Sequence, residues 1–321
     1  MLRNLFPLLL AGCMVGDVMA EPFDAFERTI PELQEAMDSG ATTSQELVRQ
    51  YLARIEAFDS AGPELNAMLF INPHALDNAA ALDRERAEQG ARGPLHGIPI
   101  VLKDNYDTFD MPTTAGSIAM QGFVPADDAY QVRKLREAGA IFIGKTNLHE
   151  FARGIETISS LGGYTRNPYD PGRNPGGSSG GTAAAVAANF AVVGTGSDTC
   201  GSIRIPAANN NRFGLRITQG LSNMDGIVPL SHTQDEAGPQ ARSMIDLVTV
   251  LDATIDGAAF SENLDAKALD GARLGLLTDY LVSSEGYAEV SQVVRDAATA
   301  MEKYGATIVE LQIDDLDELS R

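Results

Sequence analysis

Apolar positions along this chain switch repeatedly between helical and strand spacing. Behind Thr43-Ser44-Gln45-Glu46, which has the form of a capping box, Leu47, Val48, Tyr51, Leu52 and Ile55 fall on one helical face. A second helix is expected over about 74–88, stopping near Gly90, and a third over 130–137, closed by Gly139. Ile98-Pro99-Ile100-Val101-Leu102 is unbroken apolar and reads as a buried strand that delivers Lys103 at its end. Ala140-Ile141-Phe142-Ile143 is the next strand. A Gly/Ser/Pro-rich stretch from Pro171 to Gly181 leads into an alanine-rich helix, Thr182 to Ala188. The short strand Ala191-Val192-Val193 and a loop from Gly194 to Ser202 follow. Leu274–Leu277, a helix over 287–304 and Thr307-Ile308-Val309 repeat the alternation, which predicts an α/β fold. With no internal repeat and no low-complexity linker, residues 21–321 read as a single domain.

The first twenty residues stand apart. Met1 to Ala20 carries one positive charge, Arg3, an apolar run from Leu5 to Val15, and small residues at Val18 and Ala20. The run is too short to span a bilayer and has the form of a secretory signal cleaved after Ala20. Leu10-Ala11-Gly12-Cys13 competes, because it resembles a lipobox in which Cys13 would be acylated; only that route would tie the chain to a membrane. Both routes imply export, to the periplasm or beyond. Cleavage after Ala20 leaves Cys200 as the only thiol, which excludes an intrachain disulfide.

Composition removes some functions. With 44 acidic against 24 basic side chains, a net charge of −20 argues against a nucleic-acid partner, which needs clustered Lys and Arg. His74, His96, His149 and His232 are scattered, and His149-Glu150 lacks the second histidine of a zinc helix. No metal and no cofactor are expected.

Three motifs compete in the middle of the chain. Gly139 to Thr146 matches the phosphate-loop pattern letter by letter, but its four inner residues are apolar and strand-like, so no loop is available to wrap an anion. Gly177-Ser178-Ser179-Gly180-Gly181 fits a nucleophile elbow centred on Ser179, with Asp225 and His232 in the right order to serve it. The apolar strand that should enter an elbow is missing, since residues 167–175 are turn-formers. The third reading joins Lys103-Asp104-Asn105, the block Gly176 to Gly181, and Gly196-Ser197-Asp198-Thr199-Cys200-Gly201-Ser202-Ile203-Arg204.

That set resembles the amidase signature family, serine hydrolases that use a Ser–cis-Ser–Lys triad. The resemblance runs from about Thr43 to Met244 and takes in Gly93 to Pro99, Thr113 to Ser117, Gly144 to Asn147, Pro206 to Ala208, Gly226 to Pro229, and Asp235-x-x-Gly238-Pro239. Ser178 and Ser202 lie 24 positions apart, as the family motif requires. The resemblance implies a large, mixed, twisted sheet with helices on both faces. Family members usually continue further, so the sheet is expected to be incomplete at the C-terminus.

The resemblance also implies roles. Ser202 aligns with the acyl-enzyme nucleophile, Ser178 with the serine that follows a cis peptide bond, and Lys103 with the base. The backbone amides of Thr199, Cys200, Gly201 and Ser202 align with the oxyanion hole; most family members carry glycine where Cys200 stands. Lys103 can accept a proton only when neutral, and its apolar approach favours that form. Asp104, one residue on, should point away. Asp198 and Arg204 are expected to pair and brace the loop, with Ser179, Ser197 and Thr199 holding the turn. The implied activity is an exported amidase acting on a small-molecule amide. The alternatives are a transamidase-type subunit that feeds ammonia to a partner, and a non-catalytic amide-binding module.

Overall fold

The structure, a computed structural model, describes residues 23–319; the leader expected at residues 1–20, with Cys13, lies outside the described residues. The first half builds helices α1 (Ile30–Asp38) and α2 (Ser44–Phe58), strand β1 (Met68–Ile71), α3 (Ala75–Gln89), β2 (Pro99–Lys103), α4 (Tyr130–Glu137) and β3 (Ile141–Thr146). A small hairpin of β4 (Ile158–Ser159) and β5 (Gly163–Tyr164) precedes α5 (Gly180–Ala187), β6 (Val193–Asp198), α6 (Arg204–Asn209) and β7 (Phe213–Gly214). Then come β8 (Glu236–Ala241), α7 (Met244–Thr254), β9 (Arg273–Leu277), α8 (Ala288–Glu302), β10 (Thr307–Leu311) and α9 (Leu316–Leu319). Among the described residues no helix is long and apolar enough to cross a membrane.

Six strands form one mixed sheet in the order β1-β3-β2-β6-β8-β7. β3, β2 and β6 run parallel, while β1, β8 and β7 run antiparallel to their neighbours. β9 and β10 form a separate parallel pair. The α/β class expected from the alternation and the mixed sheet implied by the resemblance are both present. All five residues of β2 are buried, and Ile100, Val101, Leu102, Phe142, Ala184 and Val193 share one core. Helix α5 packs across β2, β3, β6 and β8, which puts its N-terminus over the end of β2.

Three expectations need correction. The strand read as 140–143 runs on to Thr146, so Gly144, Lys145 and Thr146 are buried strand residues and no phosphate loop exists there. The strand read as 191–193 instead begins at Val193 and continues to Asp198, through residues expected to be loop. Its glycines explain the miss. A Cβ on Gly194 would sit 2.5 Å from Thr182 Cγ2 and 2.8 Å from Val101 Cγ2, so bare backbone is what lets α5 approach the sheet. At α2, Thr43 accepts the Glu46 amide at 3.1 Å, but Glu46 turns to Arg49 and Gln50, so the box is half formed. The reciprocal box stands at α1, between Thr29 and Glu32.

Candidate active site

Lys103 ends β2 and is wholly buried, next to Val101 on alternate strand positions. Its Nζ lies 2.8 Å from Ser178 Oγ, 2.9 Å from Ser197 Oγ and 3.3 Å from the Ser197 carbonyl. Burial pushes the amine down to about 7, against the upward pull of Asp198 and Asp235. The lysine therefore sits between its charged and neutral forms near neutrality, which is where a general base is most useful.

Asp104 does point away. Its Oδ2 accepts the amides of Thr114 at 3.1 Å and Gly116 at 3.3 Å, and the Thr114 hydroxyl. Its Oδ1 lies 3.6 Å from the Nζ of Lys145, a second fully buried lysine. Lys145 donates to the Tyr106 carbonyl at 2.6 Å and to Thr113 Oγ1 at 2.9 Å, locking the turn that follows Lys103. Two lysines of equal burial thus have different surroundings: Lys145 has a carboxylate beside it, and Lys103 has hydroxyls. Lys145→Met strands a buried carboxylate and is expected to lower stability by about 3–5 kcal/mol, read by urea unfolding.

Ser178 enters the site from the Gly/Ser turn before α5. The Gly177–Ser178 peptide bond is cis, as the resemblance implied. Thr157 Oγ1 donates to the Gly176 carbonyl at 2.7 Å and accepts the Gly180 amide at 3.0 Å, and the Ser178 carbonyl accepts the His149 amide at 3.0 Å. Only glycine fits at 177, where a Cβ would come within 2.8 Å of the backbone of Ile155 and Glu156. Ser202 is buried and is tied to this turn through its carbonyl, which accepts the Ser179 amide at 3.1 Å. Among the described residues no hydrogen bond joins the Ser178 and Ser202 hydroxyls.

Asp198, at the end of β6, curls the loop that carries Ser202. Its Oδ1 accepts the Gly201 amide at 2.7 Å, and its Oδ2 accepts the Ile203 amide at 3.0 Å and Arg204 Nε at 3.1 Å. Burial pushes the Asp198 carboxyl up, but Arg204 and these two amides outweigh it and hold it below the usual range. The expected pairing of Asp198 with Arg204 is present. The expected oxyanion set needs one correction, because the Gly201 amide is already committed to Asp198. The amides of Thr199, Cys200 and Ser202 have no protein acceptor among the hydrogen bonds of the described residues. Cys200 is exposed, with a free thiol.

Thr199 Oγ1 donates to Asp235 Oδ1 at 2.6 Å, linking this loop to a cavity of about 380 Å³ walled by Met224, Ile227, Pro229, His232 and Asp235. Ser179 does not serve as an elbow nucleophile: it is buried, donating to the Ser197 carbonyl at 3.2 Å and accepting the Ser197 amide at 3.3 Å. Ser197, expected only to hold the turn, also touches Lys103. That contact has no signature in the sequence, because a hydroxyl in a Gly/Ser run gives no signal until β6 and β2 are paired. His96 is buried and bonds the Leu82 carbonyl at 3.0 Å, a core role. Among the described residues no cluster of three His, Cys, Asp or Glu is placed to hold a metal.

A profile of the amidase family matches residues 46–321. A glutamyl-tRNA(Gln) amidotransferase subunit of Halorhodospira halophila is 38% identical over 304 residues, covering 91% of this chain and 62% of that protein. The native peptide amidase of Stenotrophomonas maltophilia superposes with a TM-score of 0.88 at 44% identity, covering 93% of this chain and 65% of that one. The corresponding glutamyl-tRNA(Gln) amidotransferase subunit of Thermotoga maritima gives 0.76 at 28% identity, over 91% of this chain and 62% of that one. This chain spans about three-fifths of the length of these relatives. A family match over most of the sequence, on a sheet that superposes with solved amidases, establishes that the chain belongs to the amidase family.

Proposed function

We propose that this chain is a serine amidohydrolase that cleaves carboxylic amide C–N bonds through an acyl-Ser202 intermediate. The observation that carries the proposal is the buried Lys103 amine 2.8 Å from Ser178 Oγ. Neutral Lys103 takes the proton of Ser178, which takes that of Ser202 as Ser202 Oγ attacks the carbonyl carbon. The Ser202 hydroxyl turns onto Ser178 when substrate binds; catalytic hydrogen bonds are often loose in the free enzyme. The amides of Thr199, Cys200 and Ser202 receive the developing oxyanion. The proton returns through Ser178 to the leaving amine, and water then attacks the acyl-serine to release the acid. Each step uses groups of this chain and water alone.

Peptide amides are the proposed substrate class, on the likeness to the peptide amidase from S. maltophilia. The expected result is ammonia release from peptide amides that is lost in Ser202→Ala. The relatives named for amidotransferases favour a second reading, in which ammonia passes to a partner protein. Ammonia release from glutamine only when such partners are added would select it. Binding of amides with equal inactivity of both proteins would make the chain a binding module. Export through the leader at residues 1–20 is part of the proposal: mass spectrometry should find a chain starting at Glu21, or a lipidated Cys13. Full-length protein held in the cytosol would contradict export.

A further inference from the structure

We propose that Ser197 is a positioning residue that holds the Lys103 amine and sets its basicity, with Asn105 fixing Ser197 in place. The inference rests on Lys103 acting as the base. An ammonium carries three N–H donors and has no acceptor of its own. Three oxygens lie within hydrogen-bonding distance of Nζ: Ser178 Oγ at 2.8 Å, Ser197 Oγ at 2.9 Å and the Ser197 carbonyl at 3.3 Å. Ser197 thus supplies two of the three acceptors that the protonated base requires, around an amine with no exposed surface.

The Ser197 hydroxyl is itself held. Asn105 Nδ2 donates to Ser197 Oγ at 3.0 Å and to the Val228 carbonyl at 3.2 Å, while the Val228 amide donates to the main-chain carbonyl of Asn105 at 2.8 Å. A carbonyl oxygen only accepts, so Val228 fixes which end of the Asn105 amide faces Ser197. The acids whose charge reaches the amine are Asp198, clamped by Arg204, and Asp235, occupied by Thr199 and by the amides of Leu230 and Ser231. Asp104 is turned to Lys145. Neither Asp198 nor Asp235 hydrogen-bonds Nζ, so the hydroxyls are its only direct side-chain partners among the described residues.

Removing an acceptor destabilises the charged amine more than the neutral one. With five lysines in the chain, lysine labelled with carbon-13 at Cε gives a tractable spectrum in which Lys103 is assigned by its loss in Lys103→Met. In Ser197→Ala the Lys103 titration midpoint is expected to fall by about one pH unit, a tenfold loss of proton affinity. Ser197→Thr keeps the hydroxyl and should leave the midpoint in place. If the alanine variant fails to fold, Ser197→Cys keeps the volume but offers a poor acceptor, and the same fall is expected. An unmoved midpoint in the alanine or cysteine variant overturns the proposal. The measurement reads the amine directly, so a fall in a protein that releases no ammonia supports the role of Ser197 and counts only against the amidase reading.

Discussion

Lys103→Met is expected to lose about 10³–10⁴-fold in turnover and to become more stable than the parent protein at neutral pH. The activity loss follows from removing the base. The gain in stability follows from linkage. Burial lowers the Lys103 pKa from 10.5 to about 7, so between those values the unfolded chain holds the proton more tightly than the folded one. Stability is therefore lost as pH falls from about 10.5 to about 7, and the loss stays constant below that. The full cost is on the order of 5 kcal/mol, and methionine removes it. Leaving Ser178 Oγ and Ser197 Oγ without their partner takes back about 1–2 kcal/mol each. The net gain is about 1–3 kcal/mol at pH 6 and should vanish above pH 10.5, measured by urea unfolding at both extremes. Burial lowers the Lys145 amine as well, to about 8, but its loss leaves the Asp104 carboxyl, which burial already pushes up, without its cation, so Lys145→Met should still destabilise. In the wild-type protein kcat/KM should rise with pH through a midpoint near 7, as the amine loses its proton.

Ser202→Ala is expected to abolish acyl transfer, a loss of about 10⁴-fold or more, and Ser178→Ala to fall nearly as far. The two serines and the lysine act as one proton path, so their losses should not add. The double variant should be no slower than the worse single one within about threefold. Nitrophenol release from an activated ester under single-turnover conditions separates attack on the carbonyl from later hydrolysis. Losses that simply multiply would mean that Ser178 acts apart from Ser202, for example by shaping the turn alone.

Much of the scaffold is legible in the sequence because its signals are local. β2, α4, α8 and the strand at 307–311 follow apolar runs, helical spacing and Gly stops, and each lies within a few residues of where the pattern puts it. β6 and β8 are not legible. Val193 to Asp198 and Glu236 to Ala241 carry glycine, serine, proline and charge in place of an apolar run, and they exist because they pair with each other residue by residue. The site divides in the same way. Lys103 at a strand end, the Gly/Ser turn and the Ser202 loop are linear motifs. The Lys145–Asp104 contact, the Ser197–Lys103 contact and the capture of the Gly201 amide by Asp198 are not, because each depends on side chains brought together by strand pairing or loop curvature.

A base of tuned affinity passing a proton along two hydroxyls must leave its mark on the second serine. Intact mass measurement after mixing the protein with nitrophenyl esters and peptide amides, followed by peptide mapping, reads that mark. One acyl group on Ser202, forming faster as pH rises through 7 and absent from Ser202→Ala, is the predicted result. An acyl group on Cys200 or Ser179, or none in a folded protein, would contradict it.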